Sequence, residues 1–313
     1  MRSLLLLVFV GLSSASPLPL PRNVEHELFV NVTKGLVHPS ELVLSAISMH
    51  SKVSPIQIFG GSTAERGQFP AQVFLLMTNT DGDNYICGGS LLTTRHVLTA
   101  AHCTEKLVAP SYAMLGLVDI TTAQRTPGVQ IKKVKSFANH PDYDGDGNSV
   151  HDDIGVITLE SEVELSDYVK TVQIKKEDGS LLEDKKETVS GFGTYMFKND
   201  EPVTSRVLRF VQVDHIDYDW CKRRWARMTG NRVHLWEKQI CAGNDGKGSG
   251  PGDSGGPLQV RTADGLFQVG LVSFGVKGTD ISMNQADFPA VYTRVAKYCD
   301  FIADKTDGAY KCL

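Results

Sequence analysis

The stretch "GSGPGDSGGPL", Gly248 to Leu258, sets five glycines and two prolines around a single Asp253–Ser254 pair. So much glycine means that the backbone turns sharply there or comes close to another group. Ser254 is then either a nucleophile that this backbone serves or a polar residue in a loop. A serine hydroxyl is a weak nucleophile near neutral pH and needs a base. The choice rests on whether a base and an orienting acid exist elsewhere.

Two stretches offer them. "LTAAHC" places His102 after a strand-like run and just before Cys103. Alone, it is equally the setting of a buried, satisfied histidine. "VHDDIGVITL" places Asp153 at the head of an apolar run. An unpaired carboxylate entering a core is costly, and a histidine would satisfy it. Together the three residues make one chemical proposal. His102 takes the proton of Ser254, and Asp153 fixes the tautomer and stabilises the imidazolium. The glycines let the N–H groups of Gly252 and Ser254 converge on a developing oxyanion.

The rest of the chain bounds this reading. It has 313 residues, 22% of them charged, with a net charge of −4. No basic excess exists to draw nucleic acid or an anionic membrane. Arg2, the apolar run "LLLLVFVGL" (Leu4 to Leu12) and the small residues "SSAS" read as a signal peptide over 1–15. That run falls short of the ~20 residues that span a bilayer, which points to secretion and an extracellular location. Residues 16–57 lack cysteine, hold the sequon at Asn31 and are too few for a core of their own. They read as a pro-segment. Six cysteines follow; an even number in an oxidising compartment implies three disulfides. Zinc is the competing reading, but no close Cys/His set occurs apart from His102-Cys103. From Ile58 onward, short apolar or alternating runs such as "AQVFLLM", "IGVITL" and "FQVGLVSFG" recur between turn signals. That texture fits an all-β sandwich or barrel pair. Only "RVAKYCDFIADKT" reads as a helix, on the spacing of Val295, Tyr298, Phe301 and Ile302.

At this point a resemblance covers most of the chain. "TAAHC", "DIGVITL" and "GDSGGPL" resemble the three catalytic blocks of the chymotrypsin/trypsin-like serine proteases, in the family order. "IFGGSTAERGQFPAQVFL", "CGGSLLTTRHVLTAAHC", "ICAG", "GLVSFG" and "AVYTRV" agree, so the likeness runs from Ile58 to about Thr306. It implies a catalytic domain over 58–306, built as two six-stranded antiparallel β-barrels at about 58–170 and 171–293. A C-terminal helix at about 294–306 and a tail at 307–313 complete it. It implies His102, Asp153 and Ser254 as the catalytic residues and Gly252 and Ser254 as oxyanion donors. By the same resemblance, Ser273 is expected to be the serine that bonds the buried aspartate. Ser273 to Gly275 is the segment that pairs with a peptide substrate, and Gly248, Ser249, Ser273, Phe274, Gly275 and Ala290 surround the specificity pocket. Cys87–Cys103 and Cys221–Cys241 match two family disulfides. No cofactor is implied. The implied partners are protein or peptide substrates, an activating protease and protein inhibitors, around a monomer.

The sequence also departs from the family. A cysteine usually stands four residues before the nucleophile; here it is Gly250, and its usual partner is absent too. Cys299 and Cys312 lack family counterparts and are left for each other. The family start that is freed by activation corresponds to Ile58, whose ammonium would pair with Asp253, yet Gln57 replaces the usual Arg or Lys before it. Asp142 to Asp153 fits part of a calcium-loop pattern. Its twelfth position is Asp153, so the loop reads as solvated and acidic, with no metal. Gly248 leaves the pocket base uncharged, which favours cleavage after Phe, Tyr, Leu or Met, with an elastase-like preference for smaller residues second. A function of another class is a catalytically silent homologue that binds or regulates. No triad residue or oxyanion glycine is lost, which favours the enzyme.

Overall fold

The computed structural model describes residues 58–145, 150–183, 186–199, 201–276 and 282–313. The expected signal peptide, the pro-segment with Asn31 and Gln57, and the tip of the acidic loop lie outside the described residues.

Strand β2 (Gln72–Asn79, QVFLLMTN) shows why the chain forms barrels. Its side chains alternate between two cores, as the period of a strand requires. Val73, Leu75 and Met77 enter the interior of a first barrel with Leu91, Val97, Leu115 and Ile157. Phe74 and Leu76 point outward into a second cluster with Phe69, Met114, Phe192 and Leu208. Both faces are thus covered, and the strand reads as an unbroken apolar run. The first barrel closes in the order β2, β3 (Asn84–Leu91), β4 (His96–Thr99), β7 (Gly155–Leu159), β6 (Gln130–Asn139) and β5 (Leu107–Leu115), all antiparallel.

The second barrel runs β8 (Lys186–Gly191), β11 (Arg209–Ile216), β12 (Gln239–Gly243), β15 (Ala290–Arg294), β14 (Gly265–Phe274) and β13 (Pro257–Thr262), returning to β8. Short β1 (Ser62–Thr63) adds to β11, and β9 (Thr194–Lys198) pairs with β10 (Glu201–Thr204) as a hairpin. Val189, Val213, Ile240, Leu258, Val260 and Tyr292 fill the second barrel. The fold is therefore the expected pair of six-stranded barrels. Such closure removes exposed sheet edges.

Among the described residues, four short α-helices accompany the strands: α1 (Ala101–Thr104), α2 (Gly179–Leu182), α3 (Tyr218–Thr229) and α4 (Cys299–Lys305). The C-terminal helix begins as a 3-10 turn over Val295–Tyr298. It packs Val295, Tyr298 and Ile302 against Leu92, Leu98 and Val156 of the first barrel, so it joins the two halves. Helix α3 corrects the reading of a single helix. Its sequence, YDWCKRRWARMT, buries only Cys221, Trp225 and Thr229, a stripe too narrow to stand out from the charges around it. Disulfides tie Cys87 of β3 to Cys103 of α1, Cys221 of α3 to Cys241 of β12, and Cys299 of α4 to Cys312. The last residues are held too. Leu313 exchanges backbone bonds with Ile174 and Lys176, and the Tyr310 hydroxyl donates to Val172 O at 3.0 Å.

Candidate active site

The two barrels meet where β3 passes the glycine-rich turn before β13. Gly88 of β3 lies so close to Gly256 that a Cβ on it would sit 2.7 Å from the Gly256 Cα. The Gly88 N–H donates to Ser254 O at 2.7 Å. Glycine at both positions is what lets one barrel reach the other here. Gly252 takes φ +91°, in the left-handed region, and Gly255 takes +72°. The dense glycine of this stretch therefore has both explanations at once, a sharp turn and a close approach.

His102 and Asp153 come from the first barrel. His102 sits in α1, directly after β4, and is fixed by the neighbouring Cys87–Cys103 bond and by the Tyr85 hydroxyl, which donates to Cys103 O at 2.6 Å. Asp153 is fully buried just before β7. Asp152 precedes it at φ +51°, a conformation aspartate tolerates better than most residues. The Ile154 N–H closes the turn onto Asp152 O at 2.8 Å. Lys238 Nζ holds the Asp152 carboxylate at 3.1 Å. This clamp was not read from the sequence, where Asp152 belonged to the acidic loop. His140, Asp142 and Asp152 also gather there, but the Lys238 ammonium already supplies the cation for Asp152.

The turn aims the Asp153 carboxylate at His102. Asp153 Oδ2 accepts from His102 Nδ1 at 2.8 Å and from the Ser273 hydroxyl at 2.6 Å. Asp153 Oδ1 accepts the His102 backbone N–H at 2.9 Å. Thr293 Oγ1 donates to Asp153 O at 2.9 Å, so β14 and β15 of the second barrel both brace it. Burial would raise the Asp153 pKa, but the charge of His102 and the hydrogen bonds from His102 and Ser273 outweigh it and hold the carboxyl below its usual range. Burial opposes protonation of His102 as well. The attraction of Asp153 and the bond between them prevail, and the imidazole pKa lies above its usual value. With Nδ1–H given to Asp153, neutral His102 presents a bare Nε2. That atom lies 3.7 Å from Cys103 Sγ, and Cys103 Sγ lies 3.6 Å from Ser254 O. Among the described residues no hydrogen bond joins His102 to the Ser254 hydroxyl, and neither the Gly252 nor the Ser254 N–H has a protein acceptor.

Beside Ser254 opens a pocket of about 370 Å3, counting its mouth. Ser249, Ser273, Phe274, Gly275 and Ala290 line it, together with Gln285 and Phe288. Among the described residues, none that lines it is charged. Gly248 is not among them, because the Gln285 amide lies over it: a Cβ on Gly248 would fall 1.7 Å from Gln285 Oε1. Gln285, missed in the sequence, is the floor.

Under the pocket, Asp253 is fully buried and accepts the N–H groups of Gly193 at 2.8 Å and Gly250 at 3.0 Å. Burial dominates these two bonds and pushes its carboxyl up to about 7. Ile58 and Phe59 are buried nearby; Phe59 stacks on Phe197 and approaches Gly250, and Ile58 joins the core of the second barrel.

The family model for trypsin matches residues 58–302. Chymotrypsin-C of Mus musculus is 33% identical over 251 residues, 80% of this chain and 88% of that protein. Phenoloxidase-activating factor 3 of Holotrichia diomphalia is 32% identical over 266 residues, 79% of this chain and 71% of its own length. The phenoloxidase-activating enzyme of Bombyx mori is 31% identical over 268 residues, again 79% of this chain, which spans 60% of that protein.

Proposed function

The chain belongs to the trypsin family of serine proteases, and from that premise we propose that it is a catalytically active endopeptidase whose nucleophile is Ser254. The observation that carries this is the relay Ser273–Asp153–His102 at the junction of the barrels, its Ser273 and Asp153 buried, with the backbone of Ser254 anchored across the same junction. The Ser254 hydroxyl oxygen attacks the scissile carbonyl carbon as His102 Nε2 takes its proton. Negative charge moves to the carbonyl oxygen, where the N–H groups of Gly252 and Ser254 receive it. The intermediate collapses, the peptide C–N bond breaks, and the leaving amine takes the proton from Nε2. Water then gives a proton to Nε2, attacks the acyl ester and releases the acid as the serine oxygen recovers the proton. Asp153 stays ionised throughout and holds the imidazole in one tautomer.

Activation follows from Asp253. Cleavage before Ile58 would free an ammonium that pairs with this buried carboxylate and orders the turn carrying Gly252. The uncharged lining among the described residues supports cleavage after apolar or aromatic residues, chymotrypsin-like first and elastase-like second, since an unpaired cation is expensive to bury. The signal-like N-terminus and three disulfides support an extracellular site of action; among the described residues no helix is long and apolar enough to cross a membrane. Proteins or peptides are the substrates, and an activating protease is a partner.

A fluorophosphonate probe tests the reading. The cleaved chain should be labelled at Ser254, and Ser254→Ala should abolish both the label and peptide hydrolysis. An unlabelled cleaved chain makes it a silent homologue.

A further inference from the structure

Gln285 is 4% exposed, and two glycines make room for it. A Cβ on Gly243 would meet Gln285 Cβ at 2.4 Å, and one on Gly248 would meet its Oε1 at 1.7 Å. The Gln285 Nε2 donates to Ser249 O at 2.7 Å and to Ser282 O at 3.1 Å. Both amide hydrogens are thus committed, and the amide cannot be turned over without setting oxygen against two carbonyls. That fixes Oε1 as the free atom. It is buried and accepts no hydrogen bond among the described residues. The Ser249 hydroxyl, also in the lining, accepts from Tyr292 at 3.2 Å, and the Ser273 hydroxyl donates to Asp153.

A buried acceptor left without a donor is unfavourable, and a ligand that supplies the donor recovers the loss. We propose that Gln285 is the specificity determinant of this pocket, and that it selects a substrate side chain with an apolar body and a neutral hydrogen-bond donor at its tip, such as a phenol or a carboxamide. A cation is not selected, because a neutral carbonyl cannot replace the hydration of a buried ammonium or guanidinium. Purely apolar side chains fit the walls but leave Oε1 unmet. The proposal rests on the pocket beside Ser254 being the substrate pocket.

The test compares peptide amides that differ only at the residue before the cut, in two pairs: Tyr against Phe, and Gln against Met. Within whichever pair is cleaved faster, the donor-bearing member should lead in kcat/KM by about tenfold, the worth of one hydrogen bond. In Gln285→Met the lead should vanish. A lead for the donor-free member, a lead that survives the substitution, or a preference for Lys or Arg overturns the proposal. Gln285→Met also removes two bonds to the loop, so a second measurement needs neither that variant nor any chemistry. In Ser254→Ala, 4-methylphenol should bind more tightly than toluene, or propionamide more tightly than ethyl methyl sulfide, by ligand-observed NMR. The reverse order in both pairs overturns it. If the phenol or the amide is favoured but the natural protein is never labelled by fluorophosphonate, the catalytic reading fails and the pocket assignment stands.

Discussion

His102 and Asp153 shift each other in opposite directions, and the catalytic consequence has a definite sign. The base must be neutral to take the serine proton. Its pKa is raised above the ordinary imidazole value, because the Asp153 charge and hydrogen bond outweigh burial. The acid limb of kcat/KM should therefore lie on the high side of a free imidazole's titration, with activity lost as pH falls through it. In Asp153→Asn the charge is gone, and the amide can donate to Nδ1 and leave the proton on Nε2. Turnover should drop by several powers of ten, and the limb should move to lower pH. A pH–rate profile on enzyme titrated with an acylating inhibitor decides this; a limb that stays in place means that Asp153 does not set the base. These residues were legible because each announces itself locally: a histidine beside a half-cystine, a carboxylate heading an apolar run, a serine amid glycines. Gln285 and Lys238 announce nothing. Gln285 matters only because Gly243 and Gly248 come alongside it in space, and Lys238 only because its ammonium reaches Asp152 from the turn before β12.

At the scale of elements, the strands that were legible are those with both faces covered. β2, β7 and β14 read as apolar runs because alternate residues enter different cores. β6, QIKKVKSFAN, is exposed along much of its length and carries three lysines, so its apolar signal is thin. Helix α3 was missed because its buried stripe is one residue wide per turn, although both its ends were marked. The Asp217 side chain accepts the Trp220 N–H at 2.8 Å, and Gly230 closes the far end at φ +60°. Asp217→Ala should lower the stability of the fold by about 1 kcal/mol through loss of this cap, and Asp217→Asn should retain most of it; urea unfolding of the two variants reads the difference. The Cys299–Cys312 bond spans a sequence separation of 13 and holds the tail against the linker between the barrels. Replacing both cysteines with alanine should cost about 3 kcal/mol, most of it from the freed unfolded chain. An unchanged urea midpoint would show that the Tyr310 and Leu313 contacts hold the tail alone.

For the whole molecule, the decisive event is the proposed cut before Ile58, and the buried Asp253 carboxylate gives it a thermodynamic signature. In the uncut chain this carboxyl has backbone donors but no cation among the described residues, and its pKa rises from 3.8 to about 7. Between those values the folded chain keeps a proton that the unfolded chain has released. Stability from this group is therefore complete below about pH 4 and is lost progressively as pH rises toward 7. The ammonium of Ile58 reverses the balance, because an adjacent positive charge favours the ionised carboxylate. The cut chain should escape that loss. His102 and the other titrating groups of residues 58–313 are common to both forms, whereas groups such as Glu25, His26, His38, Glu41 and His50 leave with the cut, so the cut chain with its new N-terminus acetylated is the reference that isolates Asp253. Urea midpoints of cut and uncut protein, measured from pH 4 to pH 7.5, should draw apart as pH rises, with the cut form ahead. Acetylating the new N-terminus should close the gap, since it removes the charge and leaves the isoleucine side chain in place. A gap that is constant across this range would mean that the cut acts through removal of residues 1–57 and not through an ion pair with Asp253.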